Sequence, residues 1–318
     1  MHRGEDGLRR FRQLVMLIGI PIALFSCGVA PPPSRDQRNE QSRPIVLTTF
    51  TVLADMARRV AGSRLSVRSI TKTGAEIHGY EPTPSDVEGA VGASLILKNG
   101  LGLELWADRF VRAAGNVPTV TLSDGIQPVL ITEDAYAGRP NPHAWMSPKR
   151  AQLYVDRMVE AFSELDPAGQ AVYRANGARY KEQLTTLDQQ LRSAISQVPK
   201  RRRVLVTCEG AFSYLAQDYG LEEAYLWPVN AESQITPRRL ARLIDRVRSS
   251  RVPAVFCEST VSDKAQQEVA RATGARFGGT FFVDSLSGPT GPASSLIDLQ
   301  RHNVGLIVKG LGGEVAER

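Results

Sequence analysis

Histidine and cysteine are scarce in this chain, and no long apolar run occurs. Four histidines are found in 318 residues, and one of them, His2, lies in the N-terminal stretch. Imidazole chemistry in the body of the chain therefore falls to His78, His143 and His302. There is no His-Glu-x-x-His pattern, so the familiar helical motif of zinc hydrolases is missing. No stretch reaches the roughly 20 apolar residues that a confident membrane-spanning helix needs. The formal charge is +6 and the pI near 9.4, yet there is no concentrated basic stripe and no interleaving of basic and aromatic residues. Nucleic acid is therefore not an expected partner. The short run Arg201 to Arg203 reads as a solvated approach to a strand.

What is present is a chain able to bury a core, with 42% hydrophobic residues and a length that suggests two lobes. Its first stretch is not part of the fold. Arg3, Arg9, Arg10 and Arg12 precede the apolar run Leu14 to Phe25, which ends at Ser26-Cys27. This is the layout of an export signal. It resembles a bacterial lipoprotein signal, in which the cysteine is acylated and becomes the mature N-terminus, although Phe25 is bulkier than the usual residue there. The alternative is an uncleaved N-terminal anchor. We expect a signal over residues 1–26 and lipidation at Cys27, with the bulk of the protein outside the cytoplasm. Residues 27–43, rich in Pro, Ser, Arg and Gln, read as a flexible tether. Removing the signal, with its four arginines against Glu5 and Asp6, leaves a net +4.

Short apolar strands then alternate with helical patterns. Strands are expected at Ile45–Thr48, Leu65–Ile70, Leu95–Leu97 and Val117–Leu122. Helices are expected at Val52–Val60, from Pro84 with Thr83 as cap, at Leu103–Ala114 and at Lys149–Leu165. From Asp166 a helical pattern runs about 28 residues, roughly 42 Å at 1.5 Å each, until Pro199 stops it. The alternation then resumes, with strands Arg203–Thr207, Ala224–Leu226, Ala254–Cys257 and Phe281–Val283. Helices follow at Phe212–Tyr219, Pro237–Ser250, Asp263–Thr273 and Ser295–Leu311. Strands linked by helices point to parallel sheets. The fold class is α/β: two lobes, each a mostly parallel sheet flanked by helices, joined by one long rigid helix. The expected bounds are 44–165 for the N-terminal lobe, 166–198 for the connecting helix and 199–318 for the C-terminal lobe.

Four ligand-type residues fall at or near strand ends, where α/β sheets bind ligands. His78 lies on the loop after Leu65–Ile70, His143 on a loop before a helix, and Glu209 and Asp284 each follow a strand. Two imidazoles and two carboxylates make a credible first-row metal site. Taken singly, each has a blander reading: a loop histidine that hydrogen-bonds locally, a solvated glutamate, or an aspartate capping a helix. His302 lies in the last helical pattern and is read as structural.

Further motifs occur in order. They are His78-Gly79-Tyr80-Glu81-Pro82-Thr83-Pro84-Ser85-Asp86, Asn99-Gly100-Leu101-Gly102-Leu103-Glu104 and Asn141-Pro142-His143-Ala144-Trp145. Thr207-Cys208-Glu209-Gly210-Ala211-Phe212 and Asp284-Ser285-Leu286 complete the set. Together they resemble the metal-binding solute receptors of bacterial ABC importers, the zinc/manganese/iron cluster, from about Ile45 onward. The resemblance implies a metal held between two lobes by His78 and His143 from one and Glu209 and Asp284 from the other. Zinc-type members carry a histidine where Glu209 stands, and often a histidine-rich loop where residues 123–142 have none. Leu226-Trp227-Pro228-Val229-Asn230 and Phe256-Cys257-Glu258-Ser259-Thr260 also resemble the manganese/iron branch. There are two departures. Asn141 replaces the usual Asp before Pro-His, which would lower the negative charge behind His143. Ile235 replaces the usual Gly before Thr-Pro.

The implied activity is capture of Mn²⁺, or Fe²⁺, with Zn²⁺ as competitor, and delivery to a membrane permease of an ABC importer without chemical turnover. The protein would be a monomer held to the membrane by its lipid, in the periplasm or on the outer face of the cytoplasmic membrane. The alternatives are a zinc receptor of the same family and a secreted metallo-hydrolase using Glu81 or Glu258 as base. Cys208 and Cys257 each end a strand before a glutamate. With those strands as neighbours, about 4.8 Å apart, a Cys208–Cys257 disulfide is expected. Free buried thiols or thiolate ligands are the other options, and thiolates match carboxylate partners poorly.

Overall fold

The structure is a computed structural model and describes residues 43–229 and 235–312. The expected signal, Cys27 and the tether up to residue 42 lie outside the described residues.

Strands β1 (Ile45–Thr48), β2 (Ser66–Ser69), β3 (Ala93–Lys98) and β4 (Thr119–Thr121) form one parallel sheet in the order β2-β1-β3-β4. Val46 pairs with Val67 on one side and Leu95 on the other. The central strands bury Val46, Leu47, Leu95, Ile96 and Leu97, the continuous apolar character of strands covered on both faces. Helices α1 (Thr51–Ala61), α2 (Pro84–Ala90) and α3 (Ala107–Ala113) provide the connections. The start of α2 is a capping box. Thr83 Oγ1 accepts from the Asp86 backbone N–H, the Asp86 carboxylate accepts from the Thr83 N–H, and Pro84 fills the first turn.

The last connection before the second lobe is helical. Ser147 caps α4 (Pro148–Leu165), a short 3₁₀ turn covers Pro167–Gly169, and α5 runs from Gln170 to Ser196. Its 27 residues span roughly 40 Å. One stripe, Tyr173, Gly177, Tyr180, Leu184, Leu187, Leu191 and Ile195, is buried. Gly177 permits close approach to α4, since a Cβ there would sit 2.5 Å from Val159 Cγ2. The helix packs on α1 and α4 at one side and on α9 (Leu296–Leu311) at the other, so it is shared by both lobes.

In the second lobe β5 (Val204–Glu209) leads into α6 (Ser213–Tyr219) and β6 (Glu222–Trp227). Helix α7 (Pro237–Ser249), β7 (Ala254–Glu258), α8 (Lys264–Thr273) and β8 (Arg276–Phe281) follow. The strands pair in parallel as β5-β6 and β7-β8, two separate two-stranded sheets. Between them β5 and β7 lie side by side, and side chains stitch the seam. Cys208 and Cys257 are joined by a disulfide with Cα atoms 4.8 Å apart. Gln266 Nε2 donates to the Val206 and Phe256 carbonyls at 3.3 and 2.8 Å. The Glu209 N–H donates to Glu258 Oε2 at 3.1 Å. One buried apolar cluster runs through both lobes and α5.

Two element bounds differ most from expectation. The last strand lies at Arg276–Phe281 and not Phe281–Val283, because Gly278 and Gly279 belong inside it. A Cβ on Gly278 would sit 2.3 Å from the Phe256 ring, so the glycine there answers a packing demand from the neighbouring strand. The helix expected from Leu103 begins at Ala107, and Glu104 before it accepts from Thr49 Oγ1 and the Asn99 and Gly100 N–H groups.

Candidate metal centre

Parallel topology sends the C-terminal ends of the strands to one edge of each lobe, and these edges face one another. His78 follows β2, His143 follows β4, Glu209 is the last residue of β5, and Asp284 stands three residues past β8. The fold brings all four together, with one candidate ligand atom from each lying within 4.8 Å of the others. His78 Nε2 is 3.2 Å from His143 Nε2, 3.1 Å from Glu209 Oε1 and 3.8 Å from Asp284 Oδ2. His143 Nε2 is 3.5 Å from Glu209 Oε1 and 3.8 Å from Asp284 Oδ1. Four ligands at about 2.1 Å around one ion would stand roughly 3.4 Å apart. The observed separations cluster around that edge length. Glu209 and His143 are fully buried and Asp284 nearly so, whereas the His78 side chain is 10% exposed. Asp284 Oδ1 is buried with no hydrogen-bond donor among the described residues. Such an atom is costly unless a cation or proton meets it. The set therefore fits a divalent ion.

The electrostatics agree. Burial opposes the charged form of His78, but Glu209, then Asp284 and Glu76, outweigh it and lift its pKa to about 9. His143 goes the other way. Burial drives it down to about 3, Glu209 offsets this in part, and His78 adds repulsion. Burial and then Glu209 push the Asp284 carboxyl well above its ordinary range. Protons held on His78 and Asp284 are what a cation would displace.

The two histidines are mounted differently. His78 sits on the loop 71–83. Glu76 accepts from the His78 and Gly79 N–H groups at 2.5 and 2.8 Å, and Trp106 Nε1 donates to the Ile77 carbonyl at 2.9 Å. A surface cavity of about 330 Å³, lined by His78, Tyr80, Glu81, Leu105, Trp106 and Arg109 among others, opens beside it. The His143 loop is held from both lobes. From its own lobe, Asn99 Nδ2 donates to the Pro142 carbonyl at 3.0 Å while Tyr154 Oη donates to Asn99 Oδ1 at 2.6 Å. Glu104 underpins Asn99, accepting from Thr49 Oγ1 and the Asn99 and Gly100 N–H groups. That explains the Asn-Gly-Leu-Gly-Leu-Glu motif. Gly100 itself has φ of 89°, and a Cβ would sit 2.3 Å from Thr121 Cγ2. From the other lobe, Trp145 Nε1 donates to the Val283 carbonyl at 3.2 Å, and Gln300 Nε2 donates to the Trp145 and Met146 carbonyls at 3.2 and 2.8 Å. Trp145 and Gln300 are buried.

Residues outside the four are placed as follows. Glu258 holds the Glu209 backbone N–H, and burial followed by Glu209 keeps its carboxyl well above the usual range, which suits a neutral acid and not a general base. Glu81 is exposed at the cavity rim. The sulfurs of Cys208 and Cys257 are bonded to each other and offer no thiolate. His302 Nε2 lies 3.0 Å from the Thr280 carbonyl, away from the site, consistent with a structural role. Sequence reasoning did not foresee Glu76, Trp145 or Gln300 as supports, since nothing in their spacing marks them.

The profile of a family described as the periplasmic component A of the zinc-uptake complex matches residues 46–310. The chain belongs to that family. It is 48% identical over 267 residues to the iron-binding protein YfeA of Yersinia pestis, covering 84% of this chain and 86% of that one. The Mn-bound periplasmic metal-binding protein of Candidatus Liberibacter asiaticus superposes with a TM-score of 0.77 at 35% identity, covering 85% of this chain and 100% of that one. The periplasmic zinc-binding protein TroA of Treponema pallidum superposes at 0.79 with 28% identity, covering 85% and 99%. Family members are transport components, so the chain stands outside the enzymes and the metallo-hydrolase alternative falls away. These relatives are named for iron, manganese and zinc, so membership leaves the ion to be argued from the site.

Proposed function

We propose that this protein is the extracytoplasmic receptor of an ABC importer. It captures one divalent first-row ion with His78, His143, Glu209 and Asp284 and delivers it to a membrane permease. The observation that carries this is the convergence of two imidazole nitrogens and two carboxylates at separations of 3.1–3.8 Å from four separate segments of two lobes. Mn²⁺ is the preferred cargo and Fe²⁺ the second, because two carboxylates supply hard oxygen and can bind through both atoms. Zn²⁺ competes on affinity alone by the Irving–Williams order. The zinc reading of the same site is favoured by the family description.

The chain is organised for this task as a lobe over 44–165, a connecting segment over 166–198 and a lobe over 199–318. It works as a monomer, anchored to the membrane through a lipid on Cys27. With α5 packed on both lobes, loading and release proceed by shifts of loops, not by a wide hinge. The partly exposed His78, beside the surface cavity, is the side from which the ion arrives and leaves. Metal content of the protein taken from its native compartment, with calorimetric affinities for Mn²⁺, Fe²⁺ and Zn²⁺, tests the reading. Stoichiometric Mn or Fe supports it. Zinc alone, with Mn²⁺ binding absent, replaces it by the zinc reading. His78→Ala retaining full Mn²⁺ affinity would sink the ligand assignment.

A further inference from the structure

Asn141 stands two residues before His143, and the structure gives a reason for the amide. Its Nδ2 lies 2.6 Å from the carbonyl oxygen of Gly210, on the turn after β5, and 3.1 Å from Oγ of Ser213, the first residue of α6, both in the opposite lobe. Its Oδ1 lies 3.0 Å from the His143 backbone nitrogen and 2.9 Å from His143 Nδ1. The orientation is over-determined. A carbonyl cannot donate, so the atom facing Gly210 is the NH₂; a backbone N–H cannot accept, so the atom facing His143 is the oxygen. His143 Nδ1 therefore faces an acceptor and carries the ring hydrogen. In neutral imidazole that leaves Nε2 bare, and Nε2 is the atom turned toward Glu209 and Asp284.

The surroundings are built around this contact. Ser213 Oγ donates to Glu223 Oε2 at 2.5 Å, which leaves its lone pairs for the Asn141 amide. Tyr214 Oη donates to the Asn141 carbonyl at 2.7 Å and fixes the backbone. A side chain at 210 is ruled out, since a Cβ would meet the Pro228 carbonyl at 2.8 Å and the Tyr225 ring at 2.9 Å. Aspartate at 141 would place an acceptor, now charged, at the same point on His143, but its second oxygen would face the Gly210 carbonyl with no hydrogen between them.

We propose that Asn141 is a positioning residue that couples apposition of the lobes to the readiness of His143 as a ligand. The turn that holds its NH₂ begins directly after Glu209. The amide thus presents oxygen to His143 only while the Glu209–Ser213 turn is in place. One side chain thereby makes the delivery of Glu209 and the baring of His143 Nε2 a single event. This rests on the proposed metal capture only in its final consequence, the rate of release.

The test uses the metal-free full chain labelled with ¹⁵N-histidine. Long-range ¹H–¹⁵N spectra read the tautomers of its four histidines, assigned by single substitutions. We expect His143 in the Nδ1–H form in the native chain and in Asn141→Asp, and in the Nε2–H form, facing Glu209, in Asn141→Ala. Release of Mn²⁺ to a chelator should be about 10- to 100-fold faster in Asn141→Asp although the tautomer is kept, because only the donor has gone. An Nε2–H tautomer in the native chain overturns the proposal, as does an Nδ1–H tautomer persisting in Asn141→Ala. Release from Asn141→Asp at the native rate does the same. Should Asn141→Ala fail to fold, the native tautomer and the Asn141→Asp rate still decide. If the native chain binds no Mn²⁺, metal capture fails while the tautomers still judge Asn141.

Discussion

Acidification should weaken Mn²⁺ binding by about one decade per pH unit, and the size follows from one residue. Without metal, His78 holds its proton up to about pH 9, because Glu209, Asp284 and Glu76 outweigh the burial that opposes its charge. His143, brought down to about 3, is already neutral. An ion needs His78 Nε2 bare, so binding at pH 7 must expel that proton. At pH 7 only about one molecule in a hundred has His78 neutral, a penalty of about 2.7 kcal/mol, at 1.36 kcal/mol per pH unit. The sign is fixed: the free site holds more protons than the loaded one, so affinity rises with pH until about 9. Asp284, raised by burial and by Glu209, steepens the fall at lower pH. Calorimetry in buffers of different ionisation heat counts the protons directly, and we expect at least about one per Mn²⁺ at pH 7. His78→Ala should release about one fewer. No proton released at pH 7, or a Kd that changes less than about threefold between pH 6 and pH 8, would refute the reasoning.

Other outcomes follow from single contacts. Glu209→His replaces a hard oxygen by an imidazole and should raise the Zn²⁺-to-Mn²⁺ affinity ratio by about tenfold or more in competition titrations; an unchanged ratio would show that Glu209 does not set the preference. The Cys208–Cys257 bond closes a sequence separation of 49, so paired Cys208→Ser and Cys257→Ser should cost about 4 kcal/mol in urea unfolding. Unchanged stability would mean that Gln266 and Glu258 hold the seam unaided. Trp145→Ala, deleting a fully buried indole whose Nε1 crosses to the Val283 carbonyl, should cost about 3–5 kcal/mol in the same assay. A loss below about 1 kcal/mol would show that the His143 loop is held by other contacts.

The caps and the long helix were legible because their signals are local. Thr83-Pro84-x-Asp86 writes a capping box into four residues, and Tyr173 to Ile195 recur at helical steps. The convergence of His78, His143, Glu209 and Asp284 was legible as chemistry at strand ends, joined by a resemblance that fixed their order. What stayed hidden depends on contacts between distant segments. Strand β8 carries two glycines whose reason lies in the Phe256 ring and in Leu306, so its own alternation is weak. The seam between β5 and β7, held by side chains where a backbone ladder was expected, leaves no mark on either strand's pattern. In the sequence Asn141 stands out only as a departure from the resemblance, with less negative charge behind His143. Only the geometry showed that its NH₂ spans the lobes to Gly210.

The central claim is that one ion sits among four named side chains. Anomalous diffraction at the manganese edge, from crystals grown with Mn²⁺, tests it most directly. The account predicts a single peak between the lobes, about 2.0–2.3 Å from His78 Nε2, His143 Nε2 and carboxylate oxygens of Glu209 and Asp284. A peak elsewhere, or one at this place that leaves either histidine or either carboxylate uncoordinated, would contradict it.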